Sequence, residues 1–496
     1  MAHPGTPWHE EDDGGVAEWR SGGVTKWQNV KVAGRQGAVF GVILALVVGA
    51  GLRLVWPEDI EYKADEAWTF EHSRDAELPW LGMPSSVDIP NPGMSLWVFV
   101  LLQRLSGAAD PPALARAVQL TNVAALVLLV CFAFRCVPRG EREAWLWAAA
   151  LVAVNPLTVL FHRKIWPPCV LPLLTLAMLY GWWHRRRRGP AFVWGLVGVC
   201  LGQIHMAGFF FAAAFVLWAL LFDRPPHPTL SPSGGEGRVR GRERVAWRSW
   251  LLGSILGALP MLPWMVHLLT HPSARPDNPH RWVHACEMKF WIRWFSESFG
   301  LGIDYTFGPY FREFMGYPLV SGHPTYLVGL LHGLLVGLAL LLLARAAVVL
   351  WRRRERWREQ CIGRDSASAF TQNAALWGFG LLLTLSSFSI HRHYMIVLFP
   401  LEFLWVARLA LASGPPSPPT PLPRSGGEGS RLLPSPPSGG SGVGGEGGVY
   451  LGRVLLLSLW CAQFLISANM LAYIHARQDF ADAEYGIPYG AQCAVR

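Results

Sequence analysis

Residues 62–75, YKADEAWTFEHSRD, place two adjacent carboxylates, Asp65 and Glu66, shortly after an apolar run that ends at Trp56. A carboxylate beside a hydroxyl group can take its proton in a reaction, and two carboxylates that approach each other raise the pKa of one of them. The stretch is therefore a candidate for proton-transfer chemistry, and the elements that flank it decide where in the protein it lies.

The composition predicts an all-α polytopic membrane protein. Of the 496 residues, 52% are hydrophobic and 16% are charged, whereas soluble globular domains carry about 25% charged residues. The charges form short clusters between long apolar runs, and about 20 apolar residues suffice to span a bilayer. The 25 tryptophans fit the same class, because tryptophan favours membrane interfaces.

Other classes are excluded by the arrangement of charged residues and cysteines. The net charge of +9 does not indicate nucleic-acid binding, because the basic residues lie at the ends of apolar segments and form no basic face. The polar, acidic N-terminus is no signal peptide, so we expect the first helix to serve as an uncleaved signal anchor. The eight cysteines include no CxxC pair and no Cys/His zinc spacing.

Eleven membrane crossings are predicted, and basic clusters set their orientation. Short cytoplasmic loops are rich in Lys and Arg, and with eleven crossings all five basic clusters fall on the cytoplasmic side. These clusters lie within 26–35, 135–142, 184–189, 238–244 and 351–359. The predicted spans are 37–56, 112–134, 143–161, 165–183, 190–204, 206–222, 247–269, 324–350, 373–390, 394–412 and 450–473. We therefore expect a multi-pass protein of the plasma or inner membrane with a cytoplasmic tail, 1–36.

One apolar stretch is too short to be counted as a membrane-spanning helix. Residues 92–107 contain an apolar run of about 12–15 residues, a length that suits a juxtamembrane or re-entrant helix. The outer side then holds a first loop, 57–111, a second loop, 270–323, and the tail that follows the last span within 450–496. Cys286 and Cys493 both fall on this side and form the one candidate disulfide pair.

Two segments are predicted to be insertions without a catalytic role. Residues 227–246 and 413–449 are rich in Pro, Gly and Ser and share the word SGGEG. Such segments cannot bury a core, so we interpret them as disordered cytoplasmic linkers.

Six segments of the sequence, taken in order, resemble motifs of a family of membrane enzymes. They are ADEAWT, NPGMSLWVFVLLQRLSG, ALARAVQLTNVAAL, NPLTVLFHRKIWPPCVLPLLTLAML, QIHMAGF and HRHYMIVLFPLEFL. Together they resemble the dolichyl-phosphate-mannose protein mannosyltransferase-like family (glycosyltransferase family 39), GT-C glycosyltransferases that include the bacterial aminoarabinose transferases. The resemblance covers about residues 37–412. Asn91 departs from the pattern, because the family has a His there.

This resemblance implies a GT-C transmembrane module, 37–412, that moves a sugar from a polyprenyl phosphate to an acceptor on the outer face. The expected reaction is an inverting single displacement without a covalent enzyme intermediate. The expected partners are the polyprenyl-phosphate sugar, membrane lipids and an acceptor that is a lipid, a glycan or a protein. No cofactor is implied; a divalent ion at Asp65 and Glu66 stays an open alternative, although no ligand spacing demands one.

The resemblance also assigns roles to residues on the outer side. Asp65 matches the family Asp and is expected to be the base, with Glu66 as its partner or as an acceptor orienter. Arg163 matches the family Arg and is assigned with Lys164 to the donor phosphate, because a guanidinium offers two donors to phosphate oxygens. Snorkelling to lipid headgroups is the alternative for both. Arg392 or His393 is expected to add a second phosphate or sugar contact.

Further residues are weaker candidates, each with a structural alternative. Possible substrate contacts are His205, Tyr394, Asn91 and Trp68. An acid at the depth of Glu402 is costly in a membrane and suggests a function, unless Arg53 or another helix pairs with it. Residues 281–300, RWVHACEMKFWIRWFSESFG, predict an amphipathic interface helix that either floors an acceptor site or anchors the loop.

Two other functions remain open from sequence. A transporter or lipid flippase should carry polar or broken helices near the midplane, often in repeated halves. The sequence shows no internal repeat, and its charges cluster at outer helix ends, which favours the enzyme. An inactive GT-C scaffold is the third interpretation, because Asn91 replaces the family His and the chain carries insertions.

Overall fold

A computed structural model describes residues 40–84, 89–223, 245–271, 286–352, 354–386, 388–412 and 443–495. Most of this chain is α-helical, as the composition predicted. Two short antiparallel hairpins are added: β1 (Leu81–Pro84) with β2 (Pro90–Pro92), and β3 (Leu319–Val320) with β4 (His323–Pro324). The predicted tail 1–36 lies outside the described residues.

The N-terminal half forms eleven of the helices in the described chain. They are α1 (Phe40–Leu54), α2 (Ala64–Ser73), α3 (Met94–Ser106), α4 (Pro111–Arg135), α5 (Arg142–Val154), α6 (Pro156–Phe161), α7 (Leu171–Trp183), α8 (Arg188–Ile204), α9 (Ala207–Phe222), α10 (Trp247–Ala258) and α11 (Leu262–Thr270). The helix α3 has 13 residues, the short element expected within 92–107.

The C-terminal half begins with the small helices of the second outer loop. The helices are α12 (Lys289–Ser298), α13 (Ile303–Phe307), α14 (Phe311–Gly316), α15 (Leu327–Arg352), α16 (Trp357–Ile362), α17 (Ala367–Asn373), α18 (Gly380–Thr384), α19 (Leu401–Leu411), α20 (Val443–Arg477) and α21 (Tyr489–Val495). A π-helical stretch, Ala374–Phe379, joins α17 to α18, and a 3₁₀ helix, Arg392–Leu398, precedes α19.

Four helical segments of the described chain are long and apolar enough to cross a membrane: Pro111–Arg135, Trp247–Thr270, Leu327–Trp351 and Val449–Arg477. A fifth is added if Arg392–Leu398 and Leu401–Leu411, which meet at 71°, form one broken span. Helical residues occur in all eleven predicted spans. The all-α class is therefore confirmed with four to five candidate spans, and the count of eleven stays a prediction.

An Asn-Pro pair explains why α5 stops at Val154 and restarts. Pro156 has no N–H and is favoured in the first turn of a helix. The Asn155 side chain caps the new helix α6, accepting from the backbone N–H groups of Leu157 at 3.0 Å and Thr158 at 3.3 Å. Its Nδ2 donates to the Glu297 carbonyl at 2.8 Å, so the break also fixes α6 to α12.

Contacts at helix ends involve residues in or beside two of the predicted cytoplasmic clusters, 135–142 and 184–189. Arg185 at the end of α7 pairs with Asp223 at the end of α9, at 2.6 Å. The backbone N–H of Ser368 in α17 donates to Glu141, just before α5, at 3.1 Å. Arg453 in α20 pairs with Glu143 at 2.7 Å.

Tight helix contact needs glycine in the pair α8 and α10. A Cβ atom on Gly195 would lie 2.1 Å from the Trp250 carbonyl oxygen, and one on Gly253 would lie 2.1 Å from the Phe192 carbonyl oxygen. Small residues let helix backbones approach in this way. By contrast, α15 exposes large apolar side chains such as Leu330 and Leu340, which suits contact with lipid.

The structure revises two expectations, the disulfide pair and the extent of the second linker. All eight cysteines are free, so the candidate pair Cys286 and Cys493 does not form a disulfide. The helix α20 begins at Val443, inside the segment 413–449 predicted to be a linker, because propagation of a helix adds one hydrogen bond per residue. The rest of that segment and most of 227–246 lie outside the described residues.

Candidate functional site

The first outer loop enters α2 with one carboxylate buried and one exposed. The Glu66 carboxylate accepts from the Lys63 backbone N–H at 3.0 Å, which caps the helix, and Glu66 is only 3% exposed. Asp65 is exposed, because neighbouring helical residues point about 100° apart. The two predicted carboxylates therefore have different surroundings: Glu66 faces the protein, and Asp65 faces the solvent side of the loop.

A third acid, Glu61, turns this motif into a buried ionic cluster. The Glu61 carboxylate pairs with the Lys164 ammonium and with Lys63 at 3.1 Å. Lys164 is 5% exposed and lies over the Phe161 ring, 4.5 Å from its centroid. The predicted phosphate-binding lysine thus joins the loop that carries the predicted base.

The charges of this cluster perturb one another. Burial, and then the Glu61 carboxylate, raises the pKa of Glu66 to about 7. Burial alone would lower the pKa of Lys164, but Glu61 and Glu66 together outweigh burial and raise it. Lys164 is therefore a cation at neutral pH, while Glu66 exchanges a proton near pH 7.

Arg163 is held by backbone carbonyls at the entrance to the first loop. Its Nη1 donates to the Leu52 carbonyl at 2.9 Å, and its Nη2 donates to the Trp56 carbonyl at 2.9 Å. The residue is 3% exposed. These bonds tie the end of α1 to the end of α6. Binding of phosphate by Arg163 stays a prediction, and it would require the guanidinium to exchange these carbonyls for phosphate oxygens.

Arg392 forms a second ionic cluster with acids from two other segments. Its Nε and Nη2 donate to Glu297 of α12 at 2.9 and 3.3 Å. Its Nη1 donates to the Thr306 hydroxyl at 3.0 Å and to the Glu484 carboxylate at 3.1 Å. Glu484 lies in the tail that follows α20. Three chain segments far apart in sequence therefore meet at Arg392.

Three histidines and a tyrosine form an aromatic cluster, in which the Tyr394 ring lies 5.1 Å from that of His205 between centroids. The His393 ring lies 4.6 Å from Trp166, 5.0 Å from His205 and 5.5 Å from His391, between ring centroids. Burial, and then the neighbouring His391, lowers the pKa of His205 to about 4, so this ring is neutral at pH 7. The predicted residues His205 and His393 are thus brought together near Lys164 and Arg392.

The remaining predicted contacts lie in structural positions. The Tyr394 hydroxyl donates to the Met206 sulfur at 3.0 Å. Asn91 Nδ2 donates to the Met83 carbonyl at 2.8 Å within the first hairpin. Trp68 stacks on His72 at 3.9 Å between ring centroids. Each contact accounts for the side chain without a ligand, and their roles in binding stay predictions.

Glu402 does not pair with Arg53. Arg53 donates to His162 Nδ1 at 3.1 Å and to the carbonyls of Gly49 and Ala153 at 2.9 and 2.7 Å. Glu402 is 4% exposed, and its Oε2 finds no hydrogen-bond partner among the residues that the structure describes. It is a buried acid in the first turn of α19, beside the bend, and no ion-pair partner lies among the described residues.

The expected amphipathic helix of the second loop is present as α12. Phe290 and Trp294 are buried, and Trp291 donates to the Thr384 hydroxyl at 3.0 Å. The helix also supplies Glu297 to the Arg392 cluster. It therefore packs on the protein through its aromatic side and contributes an acid to the site.

The outer tail contributes functional groups that the sequence did not reveal. The Tyr489 N–H donates to the Ile60 carbonyl at 3.0 Å, the Tyr485 hydroxyl donates to the Asp59 carbonyl, and Lys63 donates to the Glu484 carbonyl. Lys63 and Glu484 are 421 positions apart, so no local pattern could have predicted the contact. Glu61, Glu297 and Arg293 were missed for the same reason.

A cavity of about 510 Å³ opens between α2 and this tail. Its polar lining comes from Tyr62, Lys63, Glu71 and Gln492. Within the described ranges, no group of three or more His, Cys, Asp or Glu side chains is arranged to hold a metal ion.

The arrangement combines an exposed carboxylate, buried cations and neutral imidazoles at one end of an apolar helix bundle. An exposed carboxylate can take a proton from a hydroxyl group, and cations nearby can stabilise a developing phosphate charge. Comparison with protein-family models, with curated proteins and with solved structures gives no match for this chain.

Proposed function

We propose that this chain is an integral membrane glycosyltransferase of the GT-C type. In the proposed reaction, Asp65 takes the proton of an acceptor hydroxyl as its oxygen bonds to the anomeric carbon of the sugar. The bond between that carbon and the phosphate oxygen breaks, and polyprenyl phosphate leaves. The displacement inverts the anomeric centre. The site would face the extracytoplasmic side.

The observation that supports this proposal best is that the loop of Asp65 is linked to both Lys164 and Arg392. Glu61 joins Lys164 to the loop of Asp65, and the carbonyl and carboxylate of Glu484 join that loop to Arg392. The acid and the two cations are the groups that sugar transfer from a phosphate requires.

The contacts support a more specific proposal for the role of each residue. Glu66 caps α2 and so fixes the position of Asp65, which makes Glu66 a positioning residue. Lys164 and Arg392, with His393 beside them, are the proposed phosphate contacts. Arg163, whose terminal nitrogens already hold two carbonyls, is proposed to hold the first loop in place beside the donor.

Release of polyprenyl phosphate tests the proposal directly. The protein is purified in detergent and offered labelled polyprenyl-phosphate sugars with a membrane extract as acceptor. Asp65→Asn is compared with Asp75→Asn, a matched change at an exposed position of the same loop. We expect release to be lost only in Asp65→Asn. Equal release from both variants would contradict the base, and no release from the folded wild type would contradict the transferase.

One observation favours transport as a second candidate. Glu402 is buried without a hydrogen-bond partner for Oε2, beside a 71° bend between two apolar helices. Discontinuous helices and buried acids are frequent in transporters. If the chain moves a lipid, Glu402→Gln in reconstituted vesicles should abolish lipid exchange. Unchanged exchange in this variant would remove the support that Glu402 gives to transport.

A further inference from the structure

A half-exposed carboxylate of the C-terminal tail lies on a buried arginine of the outer cluster. The Glu484 side chain is 46% exposed, whereas that of its partner Arg392 is 4% exposed. The other acid on Arg392, Glu297, is 2% exposed and binds through both of its oxygens. Arg392 therefore has one fixed carboxylate and one, from Glu484, that solvent and ligands can reach.

A second arginine near the same carboxylate has side-chain donors that are not used. Arg293 lies one helical turn before Glu297, and its Nη1 is 3.9 Å from the Glu297 carboxylate. Among the described residues, the buried Nε and Nη1 of Arg293 have no hydrogen-bond acceptor. Arg293 and His391 both lie within electrostatic range of Glu484, and Lys63 is bonded to its carbonyl.

The charges around Arg293 and Arg392 could accommodate an anion with more acceptor oxygens than the Glu484 carboxylate. Two arginines, Arg293 and Arg392, face two carboxylates, but only Arg392 is hydrogen-bonded to them. A phosphate carries more acceptor oxygens than a carboxylate, and guanidinium groups bind them through paired N–H donors. A phosphate in place of the Glu484 side chain could accept from Arg392 and also from the unused donors of Arg293.

We propose that the Glu484 carboxylate is an internal anion that occupies the donor-phosphate site, and that the phosphate binds Arg293 and Arg392 by displacing it. Glu484 is then an affinity-determining residue, and Arg293 is a phosphate-binding residue. This proposal rests on the proposed glycosyltransferase function. Because a ligand that binds only the open form has its affinity reduced by the open fraction, Glu484 weakens phosphate binding in the wild type.

Direct binding of polyprenyl phosphate tests the proposal without any turnover. Purified full-length protein in detergent is titrated with fluorescent polyprenyl phosphate. We expect Glu484→Gln to lower Kd by about fivefold, and Arg293→Gln to raise Kd by about tenfold. Asp482→Asn, an exposed acid two positions away in the same tail, should leave Kd unchanged. Inorganic phosphate and phosphatidylglycerol serve as separate ligands.

Each outcome separates this proposal from the proposed function. Tighter binding in Glu484→Gln, with weaker binding in Arg293→Gln, supports the internal anion. Weaker or unchanged binding in Glu484→Gln overturns it, while sugar transfer by the wild type would still stand. An equal gain in affinity for phosphatidylglycerol contradicts a donor site. Absence of both binding and transfer in the folded wild type refutes the glycosyltransferase, and the internal anion with it.

Discussion

Arg392 and Glu297, which lie 95 positions apart in the chain, form a buried ion pair with both carboxylate oxygens engaged, at 2.9 and 3.3 Å. The pair fixes α12 of the second outer loop to the 3₁₀ helix before α19. It makes the Arg392 guanidinium a stationary cation at the site, because its other contacts can change while this one holds.

Removing the charge of Glu297 should destabilise the protein. Glu297→Gln leaves the Arg392 guanidinium buried without its fixed counter-charge, which typically costs about 3–5 kcal/mol. We expect a clearly lower midpoint of thermal unfolding in detergent. Glu143→Gln is the control, because its pair with Arg453 is exposed and should contribute less than about 1 kcal/mol. Equal midpoints for the two variants would contradict the buried pair.

The raised pKa of Glu66 predicts a pH dependence of stability. Between its ordinary value of 4.5 and about 7, folded Glu66 holds a proton that the unfolded chain has released. The free energy of unfolding therefore falls as pH rises through this window and levels off above it, by on the order of 3 kcal/mol.

Glu66→Gln should remove this contribution. We expect the stability difference between wild type and variant to change from pH 4.5 to pH 7 and to stay constant above about pH 7.5. Thermal unfolding of both proteins across this range measures it. A difference that is the same at every pH would show that folding does not shift the pKa of Glu66.

Arg163 and Lys164, although adjacent, should respond differently to substitution. Arg163→Lys cannot reach both carbonyls that the guanidinium bridges, so we expect a loss of about 1–3 kcal/mol of stability. Lys164→Arg keeps the charge beside Glu61, so it should avoid the loss of about 3–5 kcal/mol that follows when a buried ion pair loses one partner. Its larger head group should instead raise the KM for the polyprenyl-phosphate donor.

Unfolding midpoints and donor titrations of these two variants distinguish the roles. If Arg163→Lys changes only KM and leaves the unfolding midpoint intact, the guanidinium binds donor and the carbonyl contacts are dispensable.

The contact between α8 and α10 should not tolerate a side chain at Gly195. Gly195→Val would bring a Cβ atom to 2.1 Å from the Trp250 carbonyl oxygen, and overpacking of this kind costs about 1–3 kcal/mol. We expect a lower unfolding midpoint and a reduced yield of folded protein. Gly337→Val in α15, where a Cβ would meet nothing within 4 Å, is the matched control and should behave as the wild type.

The sequence alone determined the helical class and named candidate site residues. Apolar runs and charge clusters are local properties, so they predicted the helical segments and the short helix α3. The segment ADEAWT marked Asp65 and Glu66 because they are adjacent carboxylates that follow closely after an apolar run. The apolar runs do not determine the count of eleven crossings. Breaks such as the one at Asn155 divide these runs into helices shorter than a membrane span.

Only the tertiary structure decided which of these residues act together. It separated Asp65 from Glu66 by burial, gave Arg163 two backbone carbonyls, and brought Glu61, Glu297 and Glu484 onto Lys164 and Arg392. Such pairings depend on contacts between distant segments, from 92 positions for Arg392 and Glu484 to 111 for Arg163 and Leu52. Residue type and spacing do not predict these pairings, because Lys164 or Arg392 can pair with any acid that helix packing brings within reach.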